Sequence, residues 1–138
     1  MCIALFRLLV DFGLLVLIWM IQLIVYPSFL YYSSENLVIW HKKYTLLIAY
    51  IVVPLMLLQL GFAIYQITAE ISAYTVTGLA MVVLVWIITF LQFVPLHGKI
   101  SNGITDKTML LSLVKKNWTR TILWTSLFLM SLATFFIN

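Results

Sequence analysis

The chain has 138 residues, of which 64% are hydrophobic and 9% are charged, and its formal net charge is +4 at pH 7. Soluble domains are about 45–50% apolar and about 25% charged, so this composition excludes a water-soluble globular protein. A helix that spans a bilayer needs about 20 mostly apolar residues, and four such spans would use nearly the whole length.

Four apolar stretches predict four transmembrane helices separated by short polar connections. Their approximate limits are Leu5 to Tyr32 for helix 1, Leu37 to Ala69 for helix 2, Ala73 to Leu96 for helix 3 and Thr108 to Ile137 for helix 4. Short connections make neighbouring helices antiparallel. The sequence therefore predicts an all-α fold, a single integral membrane four-helix bundle over residues 1–138 with up-down-up-down topology.

The basic residues indicate the orientation of the bundle. All but Arg7 lie near the helix 1–2 and 3–4 connections, namely Lys42, Lys43, Lys99, Lys107, Lys115, Lys116 and Arg120. Cytoplasmic loops carry the excess of Lys and Arg, so we expect both termini outside the cytoplasm, with a bacterial-type inner membrane as the default location. Attraction to anionic headgroups accounts for these charges, and nucleic acid is not an expected partner.

The other end of the bundle is predicted to be less polar. Its one charged pair is Arg7 and Asp11, whose i, i+4 spacing allows them to neutralise each other on one face of helix 1. Gln59 lies toward this end of helix 2 and could bridge to a neighbouring helix. Pro27 and Pro95 give a faint internal echo, since each lies near the inner end of an odd-numbered helix.

Polar side chains converge at the predicted cytoplasmic end, and this end is the expected location of any site. The catalytic candidates are His41, His97, Asn117 and Arg120. The candidates for substrate binding are Gln22, Tyr26, Tyr44, Gln92, Trp118, Thr121 and Trp124.

Helix 4 gives the clearest pattern among these candidates. Steps of about 100° per residue place Asn117, Arg120, Thr121 and Trp124 within a narrow arc, and such a stripe faces protein more readily than lipid. Arg120 either anchors the helix to headgroups or serves as a clamp for an anion or carbonyl of an amphiphilic substrate.

The two histidines open several alternatives. His41 begins helix 2 and His97 ends helix 3, so they could meet across the inner mouth of the bundle. They could hydrogen-bond headgroups, act as general acid and base, ligate haem b, or join Glu35 in a two-histidine, one-carboxylate set for a non-haem metal. The cofactor is therefore unknown, and the absence of any cofactor is an equal alternative.

Buried amides and aromatic residues also have two interpretations each. Gln22 and Gln92 are predicted to form a hydrogen bond with each other between helices, because an unsatisfied amide in hydrocarbon is costly. The alternative is that they orient a ligand. Tyr26, Tyr44, Trp40 and Trp118 are typical of an interfacial aromatic belt, with stacking on a ring-shaped substrate as the alternative.

One stretch resembles a known family. Val94-Pro95-Leu96-His97, followed by Asn117-Trp118-Thr119-Arg120-Thr121, is similar to the pattern of the anthrone-oxygenase-like family of small four-helix membrane proteins. Some members of that family are linked to oxygenation of polyketide anthrones. The resemblance implies that His97, Asn117 and Arg120 carry the function.

A second resemblance concerns the layout of the first half. The region from Tyr26-Pro27 to Pro54-Leu55-Met56 resembles the haem-binding protoporphyrinogen oxidase family of small membrane proteins. Members of that family place a histidine within the first helix, and helix 1 of this chain has none.

The leading hypothesis is a membrane enzyme, or an enzyme-like binding protein, for a hydrophobic cyclic or quinone-like compound, with an oxidoreductase or oxygenase as the expected class. His41 and His97 would be acid–base groups or ligands, and Arg120 and Asn117 would hold an oxygen function. The alternatives are a non-catalytic small subunit of a larger membrane complex and a haem-binding redox protein. Besides the lipid bilayer, the expected partners are the small molecule and either further copies of this chain or that larger complex.

Overall fold

Four long helices account for almost all of the chain that the structure describes, which is residues 2–137 of a computed structural model. They are α1 (Ile3–Tyr31), α2 (Ser34–Ala69), α3 (Ala73–Ser101) and α4 (Lys107–Ile137). Each is long and apolar enough to cross a membrane. The predicted all-α class and the four helices that could span a membrane are therefore confirmed.

The helices pack as a closed ring. α1 contacts α2 and α4, and α3 contacts the same two helices from the opposite side. The centre is filled by fully buried aliphatic side chains, among them Leu14, Ile18, Val82, Val85 and Leu113. Large apolar side chains on the outer surface remain exposed, as expected where lipid rather than water is the solvent.

Polar side chains define the starts of the helices. Ser33 precedes α2 and its hydroxyl accepts from a backbone N–H of the first turn, while Ser72 and Thr75 form a reciprocal capping box at the start of α3. Asp106 directly precedes α4, and its carboxylate accepts from the Thr108 hydroxyl and the Met109 N–H. These hydrogen bonds lower the pKa of the Asp106 carboxyl below its ordinary value.

The third helix is longer than predicted. It continues beyond Leu96 to Ser101, so the connection to α4 is residues 102–106, shorter than the gap between the predicted helices 3 and 4. Gly98 lies within regular helix, whereas Gly103 has φ of 92°, a conformation that strongly favours glycine. The reversal of the chain therefore occurs at Gly103, and the earlier glycine did not end the helix.

A π-helical turn precedes a proline in both odd-numbered helices. The turns are Ile21–Val25, before Pro27, and Thr89–Phe93, before Pro95. A proline ring has no N–H and clashes with the carbonyl four residues earlier, and a wider turn just upstream accommodates it. The extra residue in each π turn shifts the helical register. Pro27 and Pro95, which gave the internal echo in the sequence, thus share a local geometry.

The half of the bundle that carries the chain termini holds a buried polar network, which we call the carboxylate network (Arg7, Asp11, Gln59, Gln66 and Ser131). The expected Arg7–Asp11 ion pair is confirmed, at 2.8 Å. The Asp11 carboxylate also accepts from Gln59 Nε2 at 2.6 Å and from the Ser131 hydroxyl, and Arg7 donates to Gln66 at 3.0 Å. Asp11 is fully buried.

The expectation of a much less polar outer half was therefore wrong. Gln59, Gln66 and Ser131 lie far from the Arg7–Asp11 pair in sequence, and only the packing of α1, α2 and α4 brings them to it. Gln59 bridges helices as predicted, since it donates to Asp11 on α1 and accepts from Trp124 on α4.

Removing one member of the ion pair should destabilise the bundle strongly. Asp11→Ala leaves the Arg7 guanidinium buried without an anion, and breaking a buried pair in this way costs about 3–5 kcal/mol. The double variant Arg7→Leu, Asp11→Leu should lose less stability than Asp11→Ala, because no buried charge remains unpaired. Thermal unfolding of the purified protein in mild detergent measures both, with the exposed Glu35→Ala as the control. Equal stability of Asp11→Ala and Glu35→Ala would contradict this account.

Candidate active site

Side chains from all four helices form one hydrogen-bonded cluster at the opposite end, which we call the basic end because it carries the lysines. His41 Nδ1 lies 3.0 Å from Ser101 Oγ, and His41 Nε2 lies 2.7 Å from His97 Nδ1. His97 Nε2 lies 2.9 Å from the hydroxyl of Tyr26. We call the series Ser101, His41, His97 and Tyr26 the proton chain.

Arg120 joins the proton chain to α4. Its Nη2 donates to the Tyr26 hydroxyl at 3.0 Å, and its Nε and Nη2 both donate to Asn117 Oδ1, at 3.0 and 2.6 Å. The guanidinium carbon lies 3.5 Å from the centroid of the Phe93 ring, a cation–π contact. The predicted stripe of Asn117, Arg120, Thr121 and Trp124 thus faces the protein interior.

The charge of Arg120 has no anionic partner in the described part of the chain. The only ion pair there is Arg7–Asp11, and Arg120 is 6% exposed. A guanidinium has five N–H donors, and the hydrogen bonds to Tyr26 and Asn117 involve only Nε and Nη2. A buried cation in this setting would gain from a ligand that brings an oxygen atom or a negative charge.

Gln22 has different partners from those predicted. Its Oε1 accepts from Asn117 Nδ2 at 2.9 Å and from the Thr121 hydroxyl at 3.2 Å, and its Nε2 donates to a backbone carbonyl of α4. Gln92 is exposed on α3, so the predicted Gln22–Gln92 hydrogen bond is wrong. The π turn that contains both Gln92 and Phe93 directs Phe93 inward and leaves Gln92 on the outside.

The four aromatic residues of the predicted belt divide into two pairs. Tyr26 and Tyr44 are buried within the bundle, and Phe29 packs between them, so the belt interpretation is wrong for these two. Trp40 and Trp118 are exposed. Trp118 packs against Trp19 rather than with the other candidates, because one step along α4 rotates it about 100° away from Asn117.

A cavity of about 350 Å³ lies beside the proton chain, between α2 and α3. Five of the candidates line it: Tyr26, Tyr44, His97, Arg120 and Trp124. Most of the remaining wall is apolar, and it includes Val53, Phe90 and Val94, which are about half exposed on the outer surface of the bundle. The cavity therefore opens sideways between two helices, toward the space that lipid would occupy.

Two polar atoms in the wall of the cavity were missed in the sequence. They are Nε1 of Trp86 and Oγ1 of Thr89, and both are buried with no hydrogen-bond partner among the described residues. In the sequence they lie within the largely apolar run from Gly78 to Leu91. Only their position in the cavity distinguishes them from ordinary membrane-helix residues.

The histidine pair does not fit a metal held between the two rings. Metal–imidazole bonds are about 2.0–2.1 Å long, so two ligating nitrogens on opposite sides of an ion lie about 4 Å apart, whereas His41 Nε2 and His97 Nδ1 are at hydrogen-bonding distance. Glu35 is exposed. The described residues contain no group of three or more His, Cys, Asp or Glu side chains that could hold a metal ion. This geometry supports neither the haem nor the Glu35 alternative.

Comparisons with known proteins identify no relative of this chain. No family model, no curated protein and no solved structure matches the chain. The two resemblances stated from the sequence therefore stay predictions.

The hydrogen bond between the two imidazoles should be directly visible. Because the chain has only two histidines, nitrogen NMR of the labelled protein in detergent should show a through-hydrogen-bond coupling between one ring nitrogen of each. The coupling must disappear in His97→Phe, because that variant has only one imidazole. In Ser101→Ala it should disappear only if Ser101 determines which nitrogen of His41 carries the proton. Two uncoupled imidazoles in the native protein would contradict the proton chain.

Proposed function

We propose that this protein is a membrane enzyme that transfers a proton to or from the oxygen of a hydrophobic cyclic, quinone-like compound bound in the cavity between α2 and α3. The observation that carries the proposal is the unbroken hydrogen-bonded chain from the cavity to the end of α3. An apolar cavity with a few convergent polar groups is the usual form of a small-molecule site, and this one has such groups at Tyr26, His97 and Arg120.

The proton chain can be ordered in two directions. In the first, Tyr26 donates to His97, His97 donates to His41, and His41 donates to Ser101. In the second, every one of these donors becomes an acceptor, because each neutral imidazole has one donor and one acceptor nitrogen and each hydroxyl can do both. Passing a proton along the chain converts one order into the other.

The direction of the chain determines what Tyr26 offers to a ligand. In the first order Tyr26 donates its O–H to His97, and the phenol oxygen can accept a hydrogen bond from a ligand hydroxyl. In the second order its oxygen accepts from His97, and its O–H can be donated to a ligand carbonyl or to a negatively charged oxygen. One site can therefore bind the carbonyl form and the hydroxyl form of the same compound.

The proposed step uses only groups of this chain and the ligand. When a ligand oxyanion is protonated, the Tyr26 O–H bond breaks, the ligand O–H bond forms, and the charge passes to the phenolate. Arg120, at 3.0 Å from the Tyr26 oxygen, stabilises that charge. His97 then returns a proton to Tyr26 and takes one from His41, and His41 takes one from Ser101. Water reprotonates Ser101, so that one proton enters the chain for each proton given to the ligand.

The two ends of the site have different environments. The cavity opens toward lipid, which suits a compound dissolved in the bilayer, while Ser101 is the last residue of α3 and adjoins the 102–106 connection. The distribution of Lys and Arg supports placing this end in the cytoplasm. The proposed enzyme thus takes its substrate from the membrane and exchanges its proton with cytoplasmic water.

The resemblance to the anthrone-oxygenase-like family supports the same choice of residues. It implies roles for His97, Asn117 and Arg120, and these three are linked because Arg120 donates to both Asn117 and Tyr26, and Tyr26 is hydrogen-bonded to His97. The alternative of a non-catalytic subunit gives no reason for a buried, unpaired guanidinium beside a cavity. We therefore favour the enzyme.

2-Naphthol tests the proposed proton transfer, because it becomes a strong acid when excited and its naphtholate emits at longer wavelength than the neutral form. In nanodiscs that contain the protein we expect naphtholate emission, since Tyr26 can accept the proton and pass it to His97. Protein-free nanodiscs should show the neutral form. Energy transfer from tryptophan reports binding separately from proton transfer.

Variants of the proton chain should lose proton transfer but keep binding in the cavity. Tyr26→Phe and His97→Phe should reduce naphtholate emission to the level of protein-free nanodiscs while energy transfer persists. Gln92→Leu, on the exposed side of the same helix as His97, should behave as the native protein. Bound naphthol that emits only as the neutral form in the native protein would contradict the proposed function.

A further inference from the structure

Trp86 and Thr89 form a second polar group in the cavity, which we call the distal pair. Their Nε1 and Oγ1 atoms are buried and lack partners in the described chain. Buried polar side-chain atoms are nearly always hydrogen-bonded, and each exception needs a specific explanation. Both exceptions among the described residues line one cavity, which indicates that something bound in the cavity satisfies them.

Thr89 differs from the other threonines that are partly or fully buried in the interiors of the helices. Thr45, Thr121, Thr125 and Thr134 each donate their hydroxyl to the backbone carbonyl four residues earlier, the usual arrangement of threonine inside a helix. Thr89 does not make this bond. It is the first residue of the π turn Thr89–Phe93, a local geometry that often marks functional positions.

The distal pair lies at the opposite end of the cavity from the proton chain. Thr89 precedes His97 by two turns of α3, and at about 1.5 Å per residue this places the two on the order of 12 Å apart along the helix axis. Apolar side chains of α2, including Ile48 and Val52, line the cavity between these ends. A ligand that reaches both must have polar atoms at its two edges and an apolar body.

We propose that the distal pair binds a second oxygen of the ligand, so that the substrate carries oxygen functions on opposite edges of its ring system. This inference rests on the proposed function, in which the first oxygen contacts Tyr26 and Arg120. It narrows the substrate from quinone-like compounds in general to those that carry a second carbonyl or hydroxyl group on the opposite edge of the ring system.

The chemistry of the distal pair selects the second group. An indole N–H only donates, so Trp86 requires an acceptor, whereas the Thr89 hydroxyl can donate or accept. A carbonyl can accept from both. A ligand hydroxyl can accept from Trp86 while it donates to Thr89. The distal pair therefore fits both the carbonyl and the hydroxyl form, as does Tyr26 at the other end.

Durohydroquinone and tetramethylphenol are matched probes for this inference. Both have one ring with four methyl groups, but the first has hydroxyls on opposite edges and the second has only one. Their affinities are measured by calorimetry on the protein in nanodiscs under argon. The native protein should bind durohydroquinone more tightly, by about threefold to tenfold, the value of one neutral hydrogen bond.

Three variants test which residues produce that preference. Thr89→Val keeps the size and branching of the side chain but removes the hydroxyl, and it should weaken durohydroquinone binding about threefold to tenfold while tetramethylphenol binding stays the same. Trp86→Phe removes the N–H together with part of the ring, and it should weaken durohydroquinone binding more than tetramethylphenol binding. Thr45→Val is the matched control, because Thr45 also lines the cavity but its hydroxyl is bonded to the His41 carbonyl. It should change neither affinity.

The possible failures are distinguishable. Equal affinity of the two probes, or an equal loss of both in Thr89→Val, would overturn the second oxygen site and leave the proposed function intact. Arg120→Gln should weaken both probes. If neither probe binds above protein-free nanodiscs and Arg120→Gln changes nothing, the proposed function fails, and the second oxygen site fails with it.

Discussion

The guanidinium of Arg120 is a positive charge inside an apolar bundle, and the surrounding site is arranged around it. Placing such a charge at the centre of a membrane helix costs about 2.5–3.5 kcal/mol on insertion scales. Asn117, Tyr26 and the ring of Phe93 compensate in part, although none of them is anionic. The remaining demand for negative charge is the physical reason to expect an oxygen-bearing ligand in the adjacent cavity.

Trp124 connects the two polar parts of the bundle. Its indole N–H donates to Gln59 of the carboxylate network at 3.1 Å, and its ring lies in the wall of the cavity, 5.9 Å from the Arg120 guanidinium. Gln59 is in turn held by Asp11. The buried ion pair near the termini is therefore connected through Gln59 to one wall of the cavity.

Much of the bundle follows from the sequence, because hydrophobic length specifies spans and periodicity specifies faces. The stripe on helix 4 correctly indicated that Asn117, Arg120 and Thr121 face inward, and antiparallel packing correctly brought His41 near His97. Gln92 and Trp118 were misplaced, because a π turn or a single 100° step decides which side a residue faces. The sequence could not identify Trp86, Thr89 or the partners of Asp11. Which side chains of different helices are buried together depends on how the helices pack.

The central claim is that a ring compound binds between α2 and α3 with its oxygen at Arg120 and Tyr26, and an experimental structure with a brominated phenol tests it most directly. Anomalous scattering from the bromines should place the ring in the cavity, with the phenol oxygen within hydrogen-bonding distance of both side chains. Bromine sites confined to the outer groove beside Leu57, Gly61 and Tyr65, with the inner cavity filled by side chains, would contradict the account.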